Sequence, residues 1–274
     1  MSFFIIANKQ HGISSNHFLF SFKKEFGRKI GYSGTLDPFA TGLMLLGINQ
    51  ATKFFKFLKI DEKQYKFKIK FGVSTNTDDL EGEIIETNDK IPLISEIQKI
   101  LPNFIGEIEQ TPSKFSAIKI NGKRAYFLAR NNISFTMTKR TVVIKSIEIL
   151  NLIGNEMEFL VDCSKGTYIR TLAKDIAQAA ECIGCVSYLH RTATDGFFID
   201  QLNKEQFQKI SLNYFQDIYP NIIFNENDLK RLKNGVRFAI NQKNGLFCAI
   251  NSQKNFQGMV EVKRGIVYVL NMLI

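Results

Sequence analysis

One short segment constrains the fold of this chain more than any other, because its side chains alternate without interruption. Residues 65–71 read YKFKIKF, with an aromatic or aliphatic side chain at every odd position and a lysine between each pair. A period of two places the apolar side chains on one face of a β-strand and the lysines on the other. The segment therefore predicts a strand that packs one face on a hydrophobic core and turns the other toward water or a polyanion.

A helix is predicted directly after the first apolar run of the chain. Phenylalanines recur every four residues there, which aligns their rings on one helical face, and a glycine follows as a stop signal. A serine hydroxyl is available to cap the first turn. These residues are the capping Ser14 or Ser15, the apolar Phe18, Phe22 and Phe26, and the terminating Gly27.

The other expected elements follow in irregular order. Strands are predicted at 3–7, 82–87, 141–151, 156–163 and 186–192, and helices at 51–58, 92–101 and 168–180. Single helices between strands, without a regular βαβ repeat, favour the α+β class over a doubly wound nucleotide-binding fold. The chain contains neither Gly-x-Gly-x-x-Gly nor Gly-x-x-x-x-Gly-Lys, so a nucleotide cofactor has no motif support.

Length and pattern together indicate two domains. A chain of 274 residues is long enough for one large domain or two smaller ones. After about residue 221 the pattern changes to short strands, with Asn-Gly pairs at 234–235 and 244–245 that are typical of tight turns. We expect a main domain over 1–220 and a small β domain over 221–274.

The charge balance points to a polyanionic partner. The chain has 36 Lys and Arg against 26 Asp and Glu, a formal net charge of +10. Such an excess is typical of proteins that bind nucleic acid or an anionic membrane surface. No apolar run approaches the ~18 residues of a membrane span, and the first residues lack the basic start of a signal peptide. We therefore expect a cytoplasmic protein that binds nucleic acid and no membrane.

Cysteine usage agrees with a reducing compartment and argues against a metal site. Four cysteines are too few for a disulfide scaffold in a chain of this size. Cys182 and Cys185 have zinc-like spacing, but a second closely spaced Cys/His pair is absent from the sequence. Zinc is accordingly disfavoured.

The loop over 34–42, which reads GTLDPFATG, is the strongest local candidate for chemistry. Its glycines allow tight turns, and Pro38 restricts the backbone of the preceding Asp37 to extended conformations. The carboxylate of Asp37 is then presented from a rigid loop. An aspartate in this position can equally cap a turn, so the residues alone leave a catalytic and a structural interpretation open.

Four sequence blocks in a fixed order resemble the TruB-type tRNA pseudouridine synthases. The blocks are 31–43 followed by ATKF at 51–54, KQY at 63–65, QTPSKFSAIK at 110–119 and CSKGTYIRTL at 163–172, and YLHRT at 188–192 fits the strand that comes next in that family. The resemblance covers roughly residues 3–197. It implies a mixed, mainly antiparallel sheet flanked by helices, and isomerisation of uridine 55 in the T loop of tRNA, with no metal or cofactor.

The same resemblance implies a role for individual residues. Asp37 is the catalytic nucleophile, Arg170 is the arginine that pairs with it, and Tyr65 stacks on the flipped uracil near the proton to be moved. A bidentate guanidinium would keep a buried carboxylate ionised and oriented. Leu189 lines the uracil pocket, and Tyr32 stands where the family usually carries a histidine that fills the gap left by the flipped base.

Each of these residues also has a purely structural alternative. Arg170 could point to solvent from the surface of its helix. Tyr65 shares a strand face with three apolar side chains and could be a core residue, although the predicted strand begins at Tyr65, where the ring could lie at the sheet edge. Core packing alone would equally explain Leu189.

The basic segment over 113–140 resembles the mobile insertion with which the family closes over the T arm of tRNA. The resemblance places phosphate contacts in this segment and beside the catalytic loop, with the lysines of strand 65–71 as outer contacts; a solvated charge run is the alternative for any single lysine. The tail over 221–274 resembles a shortened PUA domain, and no protein partner is implied. The expected substrate-binding set is completed by Lys53, Lys114, Lys119, Lys123, Arg124 and Tyr168.

Three other functions compete with this interpretation. A synthase acting on ribosomal RNA is disfavoured, because those relatives share a Gly-Arg-Leu-Asp core whereas this chain has Gly-Thr-Leu-Asp-Pro. A non-catalytic tRNA chaperone would use the basic surface but would leave Asp37, Arg170 and Tyr65 without a purpose. A ribosomal or DNA-binding structural protein would explain the charge but none of the ordered motifs.

Overall fold

A large mixed sheet forms the centre of the computed structural model, which describes residues 1–27, 29–59, 62–203 and 205–273. The strands of this sheet and of three smaller ones are, in chain order, β1 (Phe3–Lys9), β2 (Ile30–Ser33), β3 (Thr41–Ile48), β4 (Glu62–Phe71), β5 (Val73–Thr75), β6 (Ile84–Thr87), β7 (Gly106–Gln110), β8 (Lys119–Ile120), β9 (Lys123–Arg124), β10 (Arg140–Ile153), β11 (Glu156–Ser164), β12 (Gly184–Thr194), β13 (Phe197–Phe198), β14 (Phe207–Ser211), β15 (Asn221–Ile223), β16 (Phe238–Ala239), β17 (Gly245–Ile250), β18 (Phe256–Lys263) and β19 (Ile266–Met272). The helices are α1 (Ser15–Phe26), α2 (Ile94–Ile100), α3 (Ala125–Arg130), α4 (Ile169–Ala179), α5 (Phe215–Ile218) and α6 (Glu226–Lys233).

The main sheet has the order β14-β1-β3-β12-β4-β11-β10-β7, with β2 added to β3 and β13 added to β12. The pair β3–β12 is parallel, and the other neighbours along this path are antiparallel. Helices α1, α2 and α4 pack their apolar residues on one face of the sheet. The predicted α+β class, with a mixed and mainly antiparallel sheet flanked by helices, is confirmed.

Strand β4 is central, between β12 and β11, and its alternation is as predicted. The strand nevertheless begins at Glu62, three residues before the predicted start, so the placement of Tyr65 at the sheet edge is wrong. The polar residues before Tyr65 join the strand because β11 and β12 supply backbone partners on both sides. Tyr65 is consequently buried on the core face, and Lys66 is on the opposite face.

Helix α1 forms as predicted. The Ser14 hydroxyl accepts a hydrogen bond from the backbone N–H of His17 (3.1 Å), which satisfies one free donor of the first turn. Gly27 ends the helix with a φ of 97°, a value that glycine adopts at little cost. The phenylalanine face of α1 packs on the sheet beside the loop over 34–42.

Two short elements differ from expectation. The helix predicted over 51–58 is a 3₁₀ helix, Asn49–Phe57. The turn predicted at the Asn-Gly pair 234–235 is instead the end of α6: Asn225 caps this helix, and Leu229 and Leu232 are its buried face. A capped amphipathic helix outweighs the local turn preference of the Asn-Gly pair.

A second sheet, of order β15-β17-β18-β19-β16, follows in the C-terminal part of the chain. Its residues Cys248, Phe256 and Met259 share a hydrophobic cluster with Phe4 and Phe54 from the N-terminal part. The C-terminal sheet therefore packs on the face of the main sheet opposite to α1 and α4. No helix among the described residues is long and apolar enough to cross a membrane.

Candidate active site

Buried hydrogen bonds from Ser15 and Lys9 fix the backbone of the loop between β2 and β3. The Ser15 hydroxyl donates to the Leu36 carbonyl (2.8 Å) and accepts from the Leu36 N–H (2.9 Å). The ammonium group of Lys9, a fully buried side chain, donates to the carbonyls of Pro38 (3.1 Å) and Ala40 (2.6 Å). These contacts flank Asp37 on both sides, so its carboxylate is presented from a fixed backbone.

Arg170, in the first turn of α4, lies against Asp37. Its Nε is 3.0 Å from Asp37 Oδ2, and its side chain is only 5% exposed, so the solvent-facing alternative is wrong. The expected two-pronged grip on Asp37 alone is also wrong, because the guanidinium is shared. One terminal nitrogen contacts Asp79 Oδ2 (3.2 Å) and the Thr77 carbonyl (2.8 Å), and the other donates to the Phe115 carbonyl (3.1 Å).

Burial raises the pKa of Asp37 above its ordinary value, and the nearby negative charge of Asp79 raises it further. The guanidinium of Arg170 opposes this shift by its charge and its hydrogen bond, and Lys9 opposes it by its charge. Arg170 thus orients the carboxylate without fully offsetting its desolvation. About a third of the Asp37 side chain (35%) stays exposed.

A cavity of about 410 Å³ opens beside this pair, within the size range of small-molecule sites. Tyr65 of β4 and Leu189 of β12 line it together with Asp37 and Arg170. Four residues that the sequence brings from distant segments therefore meet at one cavity. Tyr168 and Arg124 also line it.

A second cavity, of about 490 Å³, is also lined by Asp37 and Arg170. Tyr32 lines this neighbouring cavity and does not line the first; its hydroxyl contacts Asn16 Oδ1 at 3.2 Å. Arg124 lines both cavities. The insertion that carries Arg124 therefore borders both spaces.

The remaining predicted contacts are not gathered at either cavity. Lys53 is exposed on the 3₁₀ helix, where its carbonyl accepts a hydrogen bond from Asn271 (3.1 Å). Lys114, Lys119 and Lys123 are exposed along the insertion and line neither cavity. Lys66, Lys68 and Lys70 of β4 are on the sheet face opposite Tyr65 and line neither cavity.

Sequence reasoning assigned no role to three buried charged groups at the site. Asp79, which shares Arg170, comes from the β5–β6 turn, where no motif marked it. Lys63 lines the first cavity and forms a buried ion pair with Asp195 (2.7 Å). Arg191 lines the first cavity as well. The sequence did contain one signal for it: in a strand, residues 189 and 191 lie on the same face, and Leu189 was a predicted pocket residue.

The thiols show no sign of a metal site. Among residues 1–27, 29–59, 62–203 and 205–273, no group of three or more His, Cys, Asp or Glu side chains is arranged to hold a metal ion. Cys182 and Cys185 are buried and free. Burial raises the pKa of Cys185 to about 11, which keeps its thiol protonated at neutral pH.

The fold and the sequence are similar to those of known proteins. An H/ACA RNP structure bound to a substrate RNA containing 2′-deoxyuridine shares the fold, with a TM-score of 0.69 and 19% identity over 99% of this chain and 85% of that one. Residues 22–169 match the TruB family pseudouridylate synthase (N terminal domain).

Two relatives, both named tRNA pseudouridine synthase B, show how much of the chain the sequence similarity covers. The chain is 42% identical to tRNA pseudouridine synthase B of Alkaliphilus oremlandii over 70% of its own length and 64% of that protein, which is less than two thirds of the relative. It is 35% identical to tRNA pseudouridine synthase B of Borreliella burgdorferi over 86% of each chain. The chain belongs to the TruB family, and the predicted resemblance is confirmed.

Proposed function

We propose that this protein is an isomerase that converts uridine 55 in the T loop of tRNA to pseudouridine. The observation that carries the proposal is the Asp37 carboxylate, 3.0 Å from the Arg170 guanidinium, at a cavity lined by Tyr65 and Leu189. The names of the relatives that match most of this chain support the choice of tRNA as substrate.

The reaction needs a carboxylate at the ribose. Uridine and pseudouridine differ in one connection: the C1′–N1 bond of uridine is replaced by a C1′–C5 bond. When C1′–N1 breaks, the ribose becomes electron-poor, and a carboxylate can react with it or stabilise it and later leave. Asp37 serves this purpose only when ionised, and Arg170 favours that state by its charge.

The target uridine must leave the RNA stack to reach Asp37, at a cost of a few kcal/mol. Tyr65 offers its ring to the flipped uracil, and Leu189 offers apolar contact on the wall of the same cavity. Tyr32, which lines the adjacent cavity, is positioned to stack in the gap that the uridine leaves.

The T arm binds through the basic residues around the site. Arg124 contacts the nucleotide at the cavity, Tyr168 stacks at its rim, and exposed lysines of the insertion over 113–140 contact phosphates together with Lys53. Residues 1–220 form the catalytic domain and 221–274 a shortened PUA-like domain. The protein acts in the cytoplasm, where its tRNA substrate is.

A tritium-release assay tests the proposal. The substrate is unmodified tRNA labelled at uridine C5, and the variants are Asp37→Asn and, as a matched control on the exposed surface, Asp89→Asn. Wild type and Asp89→Asn release tritium, Asp37→Asn does not, and tRNA with cytidine at position 55 gives no release. Binding without release by the wild type would instead favour the chaperone function.

A further inference from the structure

Arg191 is a fully buried arginine at the back of the cavity. It lies on β12 directly across from Tyr65 on β4, so the two side chains share one face of the sheet. Its Nε donates to the Leu43 carbonyl (2.7 Å), and a terminal nitrogen donates to the Gly34 carbonyl (3.2 Å). Arg191 therefore joins both ends of the loop over 34–42 at a position beside Tyr65.

The backbone around Arg191 is built for this close approach. Gly42 pairs with Arg191 across the parallel β3–β12 contact, and a Cβ at Gly42 would lie 2.3 Å from the Arg191 carbonyl oxygen. A Cβ at Gly34 would lie 3.3 Å from a terminal nitrogen of Arg191. Both glycines have positive φ, so the loop passes the arginine in a conformation and at a distance that other residues do not fit.

The charge of Arg191 is not matched by a carboxylate. Within the described part of the chain, no Asp or Glu side chain forms an ion pair with it. A buried cation that is held only by neutral acceptors is costly to keep. The group that this cation can stabilise is the Tyr65 side chain. The Arg191 guanidinium favours the phenolate form of Tyr65 by its charge and by a hydrogen bond, which lowers the pKa of Tyr65.

We propose that Arg191 is a positioning residue that holds the Tyr65 oxygen against the catalytic loop and stabilises it as the phenolate that takes the C5 proton. This inference rests on the proposed function. It gives a role to the buried charge of Arg191, whose presence neither the sequence motifs nor the Asp37–Arg170 pair explains.

The proton transfer balances as follows. After C5 has bonded to C1′, C5 still carries its hydrogen, and the ring has a C6–N1 double bond. The phenolate of Tyr65 takes the proton from C5, and the electrons of that C–H bond form the C5–C6 double bond. The electrons of C6–N1 move to N1, which takes a proton from water. The products are pseudouridine and the neutral phenol, which returns a proton to solvent before the next turnover.

The groups that face Tyr65 set the pH at which this step works. Burial raises the pKa of Tyr65, and the charge of Asp37 on the loop acts in the same direction, as would that of Cys163 on β11 if it were ionised, whereas Arg191 lowers it. Burial also raises the pKa of Cys163 to about 12, so its thiol is neutral across the working range. Loss of Arg191 therefore moves the Tyr65 titration to higher pH.

A double-mutant cycle on the full-length protein tests the inference. Single-turnover tritium release from C5-labelled tRNA is measured for Arg191→Met and Tyr65→Phe, singly and together. Arg191→Met lowers the rate by about 30-fold in the wild type but by less than about 3-fold when Tyr65 is already phenylalanine. Lys9→Met is the matched control: it removes another buried cation from the same loop and lowers the rate equally in both backgrounds.

The pH profile gives a second readout. The alkaline rise in the rate of tritium release shifts to higher pH in Arg191→Met and stays near its wild-type position in Arg191→Lys, which keeps the charge. If Arg191→Met does not fold, as judged by thermal unfolding, Arg191→Gln replaces it in the cycle and in the pH profile: it also removes the charge, so its loss of rate is again large only when Tyr65 is present. An equal loss with and without Tyr65, or an unshifted profile in a folded Arg191→Met, overturns the inference. Absence of release from the wild type would instead overturn the proposed function.

Discussion

The carboxylates of Asp37 and Asp79 lie against the same guanidinium, that of Arg170, at 3.0 Å and 3.2 Å. Like charges that share one cation repel each other, so each carboxylate weakens the hold of Arg170 on the other. Asp79 accordingly raises the pKa of Asp37, in the same direction as burial. The arrangement orients Asp37 firmly but keeps its ionised form at a higher free energy than an isolated ion pair would.

Asp79→Asn is therefore expected to keep the enzyme active at lower pH than the wild type. Turnover falls as the pH drops through the pKa of Asp37, because only the carboxylate can act. Removing the charge of Asp79 lowers that pKa, so the acidic limb of kcat/KM moves to lower pH. The neighbouring Asp78→Asn, which breaks only the pair with Lys174, serves as control and leaves the limb in place.

Asp37→Asn is expected to stabilise the fold while it abolishes turnover. A raised pKa means that the folded protein binds the Asp37 proton more tightly than the unfolded chain, so the ionised group opposes folding above that pKa. We expect Tm to rise by roughly 1–3 °C at pH 7.5. The gain shrinks as the pH falls toward the ordinary carboxyl pKa of about 4. Calorimetry at both pH values checks this; a Tm below wild type at pH 7.5 would contradict it.

Arg170→Lys is expected to impair catalysis severely although it keeps the charge. A lysine cannot donate to Asp37, Asp79 and the carbonyls of Thr77 and Phe115 in one plane. Single-turnover rates should fall by about 100-fold or more, with tRNA affinity within about tenfold of wild type. Lys174→Arg, at a half-buried position on the same helix, should leave both quantities unchanged. Near-normal turnover of Arg170→Lys would show that the shared geometry is unimportant.

Local features could be predicted from the sequence, and long-range ones only where a motif marked them. Helix α1 was predicted from its serine cap to its glycine stop, because both signals act within one turn. The start of β4 was missed, since Glu62 and Lys63 join the strand through partners on β11 and β12 that lie far away in the chain.

The same distinction holds for the site. Asp37 and Arg170 were paired by resemblance, and the structure brings them together across 133 positions of sequence (170 − 37). Asp79 was missed because nothing local distinguishes a carboxylate in a turn from one that reaches under a guanidinium. Arg191 was missed because an arginine in a strand suggests solvent, and its burial depends on carbonyls of β3 and the catalytic loop.

The lysines of the insertion should govern the salt dependence of tRNA binding, whereas those of β4 should not. Each phosphate contact releases counterions when tRNA binds. The slope of a plot of log Kd against log salt concentration therefore falls by about 0.7–0.9 for each contact removed. Replacing Lys114, Lys119 and Lys123 by alanine should reduce the slope by up to about 2–3 units. The matched triple variant of Lys66, Lys68 and Lys70 removes the same charge from the face opposite Tyr65 and should keep the wild-type slope. Filter binding over a range of salt concentrations measures both. Equal losses in the two variants would mean that net charge, and not the location of the insertion beside the cavity, determines how tRNA is held.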